Sequence, residues 1–232
     1  MFIVKHRKIF ITISTILMAL SLGAIGYFGL NVGIDFRGGS LAEVEYTGEL
    51  PSQEVVKEKL ASLGFGEILI QQIGTQGYSL KMRPLSETER QTLIGALGSN
   101  AVEKSFTSIG PSVGEELVRK SILSFILVAL GIIFFIAFSF RKVSKPVSSW
   151  KYGLIAVTTL IHDIIIPVGA FAVLSHFYGT EVDTLFVVAI LTILGLSVSD
   201  TIVVFDRIRE NIHGGSSTSF EEKVGKSLEQ VF

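Results

Sequence analysis

The 232-residue chain has no cysteine, which excludes disulfides and thiolate metal sites. It has four histidines in no HxxxH or HExxH spacing, which argues against a zinc hydrolase. Charge is scarce and balanced: 18% of residues are charged and the formal net charge is -1, so nothing points to nucleic acid. No nucleophile sits beside a base in a plausible motif, and residues 35–117 show no phosphate-cradling loop and no carboxylates paired at fixed spacing. Neither enzymatic activity nor a cofactor is expected.

What the chain has instead is apolar length. Hydrophobic residues make up 48% of it, and the mean hydropathy is +0.56. Behind the basic start Lys5, Arg7 and Lys8, residues 9–34 are uncharged. A signal peptide's apolar core is usually about 7 to 15 residues before a small-residue cleavage site. This run is too long and Leu22-Gly23-Ala24 is a poor cleavage signal, so an uncleaved anchor is expected as span 1. Further spans are expected at 118–140, 152–174 and 184–205, since a helix crosses a bilayer in about 20 residues.

Asp200 is the only charge between Thr184 and Phe205. An Asp at the centre of an inserted helix costs roughly 2.5 to 3.5 kcal/mol, so it implies a polar seam or a task. The small residues Ala189, Thr192, Gly195 and Ser199 share one side of this helix with Asp200 at its border, which predicts close helix packing there. Span 3 carries His162, Asp163 and Pro167. His162 and Asp163 are read either as candidates for ion movement or as hydrogen-bond partners within the bundle. Pro167 removes an NH and is expected to free carbonyls or kink the helix. Asp206-Arg207-Ile208-Arg209-Glu210 then reads as a charged stop.

Residues 35–117 change character, with charges every few positions and breaks at Gly and Pro. Strands are expected at 41–47, 67–73, 78–82 and 101–109. Helices are expected at 52–63, with Val55, Val56, Leu60 and Leu63 on one face, and at 86–97, where Ser86 and Glu89 form a capping box. The order β-α-β-β-α-β is that of a ferredoxin-like domain. Asp35-Phe36-Arg37-Gly38-Gly39 reads as a bend at the membrane exit or as an anion-binding turn. Gly110-Pro111 breaks the last strand, and Ser112 is expected to cap a helix with Glu115 and Glu116 in its first turn.

Lys and Arg gather at the N-terminus, at 141–151 and after Phe205, whereas 175–183 has none. The positive-inside rule then places both ends in the cytoplasm and 35–117 outside. Residues 206–232 are read as a cytoplasmic connector, flexible at 213–217, leading to the start of a fifth span.

Three motifs in order, Gly33-Ile34-Asp35-Phe36-Arg37-Gly38-Gly39, Ile109-Gly110-Pro111-Ser112-Val113-Gly114-Glu115-Glu116-Leu117, and Ser199-Asp200-Thr201-Ile202-Val203-Val204-Phe205-Asp206-Arg207-Ile208-Arg209-Glu210-Asn211, resemble those of the SecF branch of the SecD/SecF translocase family. The resemblance implies a polytopic helical bundle of the RND type with an external ferredoxin-like domain. It implies a bacterial inner-membrane subunit that uses the proton motive force in late preprotein export. The implied partners are a SecD-like subunit, a SecYEG-type channel, a YajC-like protein, unfolded preprotein and membrane lipid. The family's fourth-span Asp, matched by Asp200, is linked to proton movement together with a basic fifth-span residue. The family has six spans, so the chain is expected to be truncated after the fourth. A purely structural membrane subunit and a small-molecule exporter are the alternatives.

Overall fold

The computed structural model describes residues 2–139, 149–213 and 219–231; the expectations for Arg141, Lys142 and Lys145 and for the 214–217 link lie outside them. The chain opens with α1 (Phe2–Lys5), α2 (Arg7–Phe28) and α3 (Ile34–Arg37). Then come β1 (Gly39–Tyr46), α4 (Gln53–Ala61), β2 (Leu69–Ile73), β3 (Gly77–Met82), α5 (Glu87–Leu97) and β4 (Ala101–Ile109). Four helices follow: α6 (Pro111–Ser139), α7 (Ser149–Tyr178), α8 (Thr184–His213) and α9 (Phe220–Val231). The residues divide into two compact units, one of 32–121 and one of 1–31 with 122–232.

The 32–121 unit is a four-stranded sheet in the order β2-β3-β1-β4 with every neighbouring pair antiparallel, the ferredoxin-like arrangement. Alternation decides its faces. Ser40, Ala42, Val44 and Tyr46 of β1 are buried, while Leu41, Glu43 and Glu45 between them are not. The buried face packs on Val56 and Leu60 of α4 and on Leu93 and Leu97 of α5. Leu60, Leu80, Leu93 and Leu97 are at most 1% exposed, and each such side chain contributes about 1.5–3 kcal/mol on burial. Val55 does not join this face; it is 43% exposed, because 56 and 60 lie one turn apart and 55 points 100° away.

The capping box at α5 forms as expected: Glu89 N donates to Ser86 Oγ at 3.4 Å, and Ser86 N donates to Glu89 Oε2 at 2.8 Å. The start of α6 differs from the expectation. Pro111 is its first residue, with Val113 N and Gly114 N both donating to Gly110 O at 3.1 Å. Pro suits that position because its missing NH would have no helical partner. Ser112 thus lies inside the first turn rather than capping it, and Glu115 and Glu116 fall beyond that turn.

In the other unit, α2, α6, α7 and α8 are long and apolar enough to cross a membrane. The chain is a polytopic helical membrane protein with an α+β domain outside its spans. Helix α2 ends at Gly29, whose φ of 69° is in the left-handed region, so the first span stops short of Ile34. Helices α2 and α7 run parallel in heptad register: Ser14 meets His162, Ser21 meets Gly169, and Phe28 stacks on His176 with ring centroids 4.7 Å apart. Helix α8 runs antiparallel to α7, with Phe186 on Phe171 and Phe205 on Tyr152. Ile136 of α6 joins Tyr152, Ala156 and Phe205 in a small buried cluster. Pro167 sits inside a continuous α7. The charged segment after Phe205 does not end α8, which runs on to His213 with Arg209–Asp206 and Arg207–Glu210 pairs along its surface.

Candidate functional site

Helical spacing brings the intramembrane polar residues to one cavity. On α8, Ile193, Leu196, Ser197, Asp200, Thr201 and Val204 recur at three- and four-residue steps and form one stripe. On α7, Thr159, His162, Asp163 and Ile166 do the same. These two stripes line a cavity of about 660 Å³ whose wall is mostly apolar, with Asp163 and Asp200 both facing it.

The two carboxylates differ in their surroundings. Asp163 is held on both oxygens: Ser197 Oγ donates to Oδ2 at 2.5 Å, and His162 Nδ1 lies 2.9 Å from Oδ1. His162 Nε2 in turn lies 2.5 Å from Ser14 Oγ on α2. Asp200 is exposed, and it has no hydrogen-bond or ion-pair partner among the described residues. Asp163 is therefore pinned in the bundle while Asp200 is open to exchange or to a partner group. Apolar walls magnify the difference between a charged and a neutral carboxylate, because apolar side chains offer a charge no hydrogen bonds and little dielectric response.

Ser14 and Ser197 were not singled out by the sequence. Ser197 could have been, as it lies on the Asp200 stripe. Ser14 carried only a faint signal, its spacing of one heptad from Ser21. The small-residue side of α8 also behaves differently from its expectation. Ala189, Thr192, Gly195 and Ser199 are exposed among the described residues, and α8 packs through Ile190 and Leu194 instead. Ile190 and Leu194, at 3% exposure each, lie on the buried side of α8, and the four small residues lie on its exposed side.

The other two motifs meet in the 32–121 unit. The Gly38 amide closes α3 on Ile34 O at 2.9 Å, and Gly38 then turns the chain with a φ of 76°. A Cβ on Gly38 would sit 3.1 Å from Pro111, and one on Gly114 only 2.8 Å from Phe36 O. A Cβ on Gly39 would sit 3.0 Å from Met82 O, at a φ of 141°. The glycines of Gly33–Gly39 and Gly110–Gly114 thus let two backbones touch where the chain enters and leaves the domain. This is the bend reading of Asp35–Gly39: its glycines serve backbone approach. Asp35 and Phe36 are half-buried and Arg37 is exposed. Asp206, Arg207 and Arg209 are engaged in the surface pairs along α8 and do not face the cavity.

The C-terminal end of α8 carries a second set of contacts, which the sequence did not point to. Asn211 Nδ2 donates to Ser227 Oγ and to Gln230 Oε1, both at 2.9 Å, and Lys223 Nζ reaches Ile212 O at 3.4 Å. Ser227 is fully buried by this docking of α9. Helix α9 is amphipathic rather than apolar.

Comparison with known proteins supplies the context. Residues 90–232 match the C-terminal domain of the protein export membrane proteins SecD/SecF, and residues 23–49 match the SecD/SecF GG motif. A protein translocase subunit SecF of Thermobaculum terrenum is 40% identical over 99% of this chain and 76% of its own length. One from Helicobacter pylori is 33% identical over 97% of this chain and 68% of its own. Among solved structures, SecDF of Thermus thermophilus, a translocon-associated membrane protein, superposes with a TM-score of 0.80 at 29% identity. That match covers 100% of this chain and 31% of the SecDF chain, so the present chain spans about a third of it.

Proposed function

Because the chain belongs to the SecD/SecF family of protein export membrane proteins, we propose that it serves the Sec translocase as an accessory subunit that draws on the proton motive force to promote late steps of preprotein export. The observation that carries this reading is the shared cavity: Asp163 and Asp200, from neighbouring spans, face one apolar-walled space. Asp200 takes up a proton from one side and releases it to the other. Removing its charge changes the relative stability of two packings of α7 and α8, and that bias is what moves the bundle. Asp163, fixed by Ser197 and His162, holds the second ionisable position of the path.

The partners consistent with this reading are a SecD-like subunit, a SecYEG-type channel, a YajC-like protein and unfolded preprotein, in a bacterial inner membrane. The basic start at Lys5 to Lys8 lies on the cytoplasmic side and the ferredoxin-like domain on the other. The relatives' description as translocase subunits fits a transport role rather than an enzymatic one.

The test is proton uptake by vesicles holding the protein with its SecD-like partner under an imposed pH gradient. Asp200→Asn should abolish uptake with assembly intact, and uptake at the wild-type rate would remove the reading. In the competing structural reading, Asp200 is a hydrogen-bonding pin that Asn replaces.

A further inference from the structure

Ser14 connects the cavity to the first span, which none of the three motifs does. Its Oγ lies 2.5 Å from His162 Nε2, the other ring nitrogen lies 2.9 Å from Asp163 Oδ1, and Ser197 Oγ lies 2.5 Å from Oδ2. Four side chains on three helices thus form an unbroken line of hydrogen bonds. Ser14 is only partly buried. An imidazole between a hydroxyl and a carboxylate has what proton transfer needs: it accepts on one nitrogen and releases from the other without moving. In the tautomer that this relay uses, Nδ1 carries the hydrogen and donates to an acceptor-only Asp163 carboxylate, and Nε2 accepts from Ser14.

We infer that Ser14 is the first-span mouth of a relay that loads Asp163 through His162. A proton reaching the Ser14 hydroxyl from water is matched by transfer of that hydroxyl's own hydrogen to Nε2. The Nδ1 hydrogen then passes to Asp163 Oδ1. One proton enters, each donor loses the hydrogen that its acceptor gains, and the carboxylate ends neutral while ring and hydroxyl keep their charge. The resting tautomer returns by exchange with water once Asp163 has released its proton to the cavity. The ionisable groups around the ring are Asp163 beside it and Asp200 across the cavity on α8. Helix α2 has no charged residue after Lys8, and the neighbouring Thr15 hydroxyl is turned to Ile11 O.

The inference rests on the proton-driven reading and is separable from it. Thr and Val have nearly the same shape but differ by one hydroxyl, so they isolate the hydrogen bond from packing. In vesicles holding the protein and its SecD-like partner, Ser14→Thr should move protons near the wild-type rate and Ser14→Val about a hundredfold more slowly. Equal rates for the two overturn the relay. Nitrogen-15 NMR of His162 in the wild-type protein needs no variant: at neutral pH it should show a protonated Nδ1 and a bare Nε2. A protonated Nε2 in the neutral ring overturns the relay too. If Asp200→Asn stops the flux while Ser14→Val does not, Ser14 loses its role and the proton-driven reading stands. If Asp200→Asn leaves the flux intact, that reading falls, and the His162 tautomer still decides the Ser14 geometry.

Discussion

Ser21 of α2 packs directly against Gly169 of α7, so closely that a Cβ on Gly169 would overlap the Cα and Cβ of Ser21. This contact lies one heptad from Ser14–His162 and holds the two parallel helices at the separation that the hydrogen bond requires. Small residues permit such an approach between spans. Gly169→Ala should therefore destabilise the helix pair by about 1–3 kcal/mol through overpacking, outweighing a gain in helix propensity of about 1 kcal/mol. Reversible unfolding in detergent measures this; a variant at least as stable as wild type contradicts the packing.

Two tyrosines in the ferredoxin-like core separate satisfied from unsatisfied polar groups. The Tyr78 hydroxyl donates to Pro51 O at 2.7 Å, whereas the buried Tyr46 hydroxyl has no partner among the described residues. Burial, with the neighbouring Tyr78 as a smaller cause, pushes the Tyr46 phenol above its ordinary value of 10.0. Tyr78→Phe should cost about 1 kcal/mol and Tyr46→Phe should be neutral or stabilising. Hydrogen exchange of the β1 and β3 amides reads both, and equal losses would contradict the assignment.

The capping carboxylate sets an acid limit on α5. The Arg83 guanidinium, then the Ser86 amide and hydroxyl, hold Glu89 from its ordinary 4.5 down to about 2. Because the folded value is the lower one, the stabilisation is fully present above about pH 4.5 and is lost as pH falls through about 2. Glu89→Gln should remove that dependence from α5 amide exchange. The Glu89 carboxyl should titrate near 2 by NMR; titration near 4.5 would show that the box is not held in solution.

At the foot of α8, Asn211 is the hinge pin of α9. Asn211→Leu removes both donated bonds to α9, leaving the Ser227 hydroxyl its bond to Lys223 O but no donor from Asn211, so α9 should detach and become open to protease. Since the chain has no cysteine of its own, Asn211→Cys with Ser227→Cys gives a cross-link free of background. Efficient bridging in the otherwise wild-type chain is expected, and its absence would contradict the docking.

The domain was legible because its signals are local. Period-two alternation in β1, the Ser86–Glu89 spacing and the glycine breaks each specify a conformation within a few residues, and their order specifies the sheet. The apolar runs likewise declared four spans by length alone. Partners distant in sequence were not legible: nothing near Ser14 says that it meets a histidine 148 residues later. Which side of α8 is buried among the described residues was not legible for a related reason. Small residues and a carboxylate mark a face as special, but Ile190 and Leu194 decide where the neighbouring helix lies. The end of α2 turned on Gly29, whose left-handed backbone stops the helix while the apolar composition continues to Ile34.

The central claim, that the Asp200 carboxylate does ion-driven work in export, is tested most directly by complementation. Cells depleted of their own SecF would carry this protein as wild type, Asp200→Asn or Asp200→Leu, with abundance checked by blot and export followed on a secreted preprotein. Failure of both variants at normal abundance is the predicted result, since neither can exchange a proton. Export restored by Asn but not by Leu would contradict it and leave Asp200 as a structural hydrogen-bonding residue.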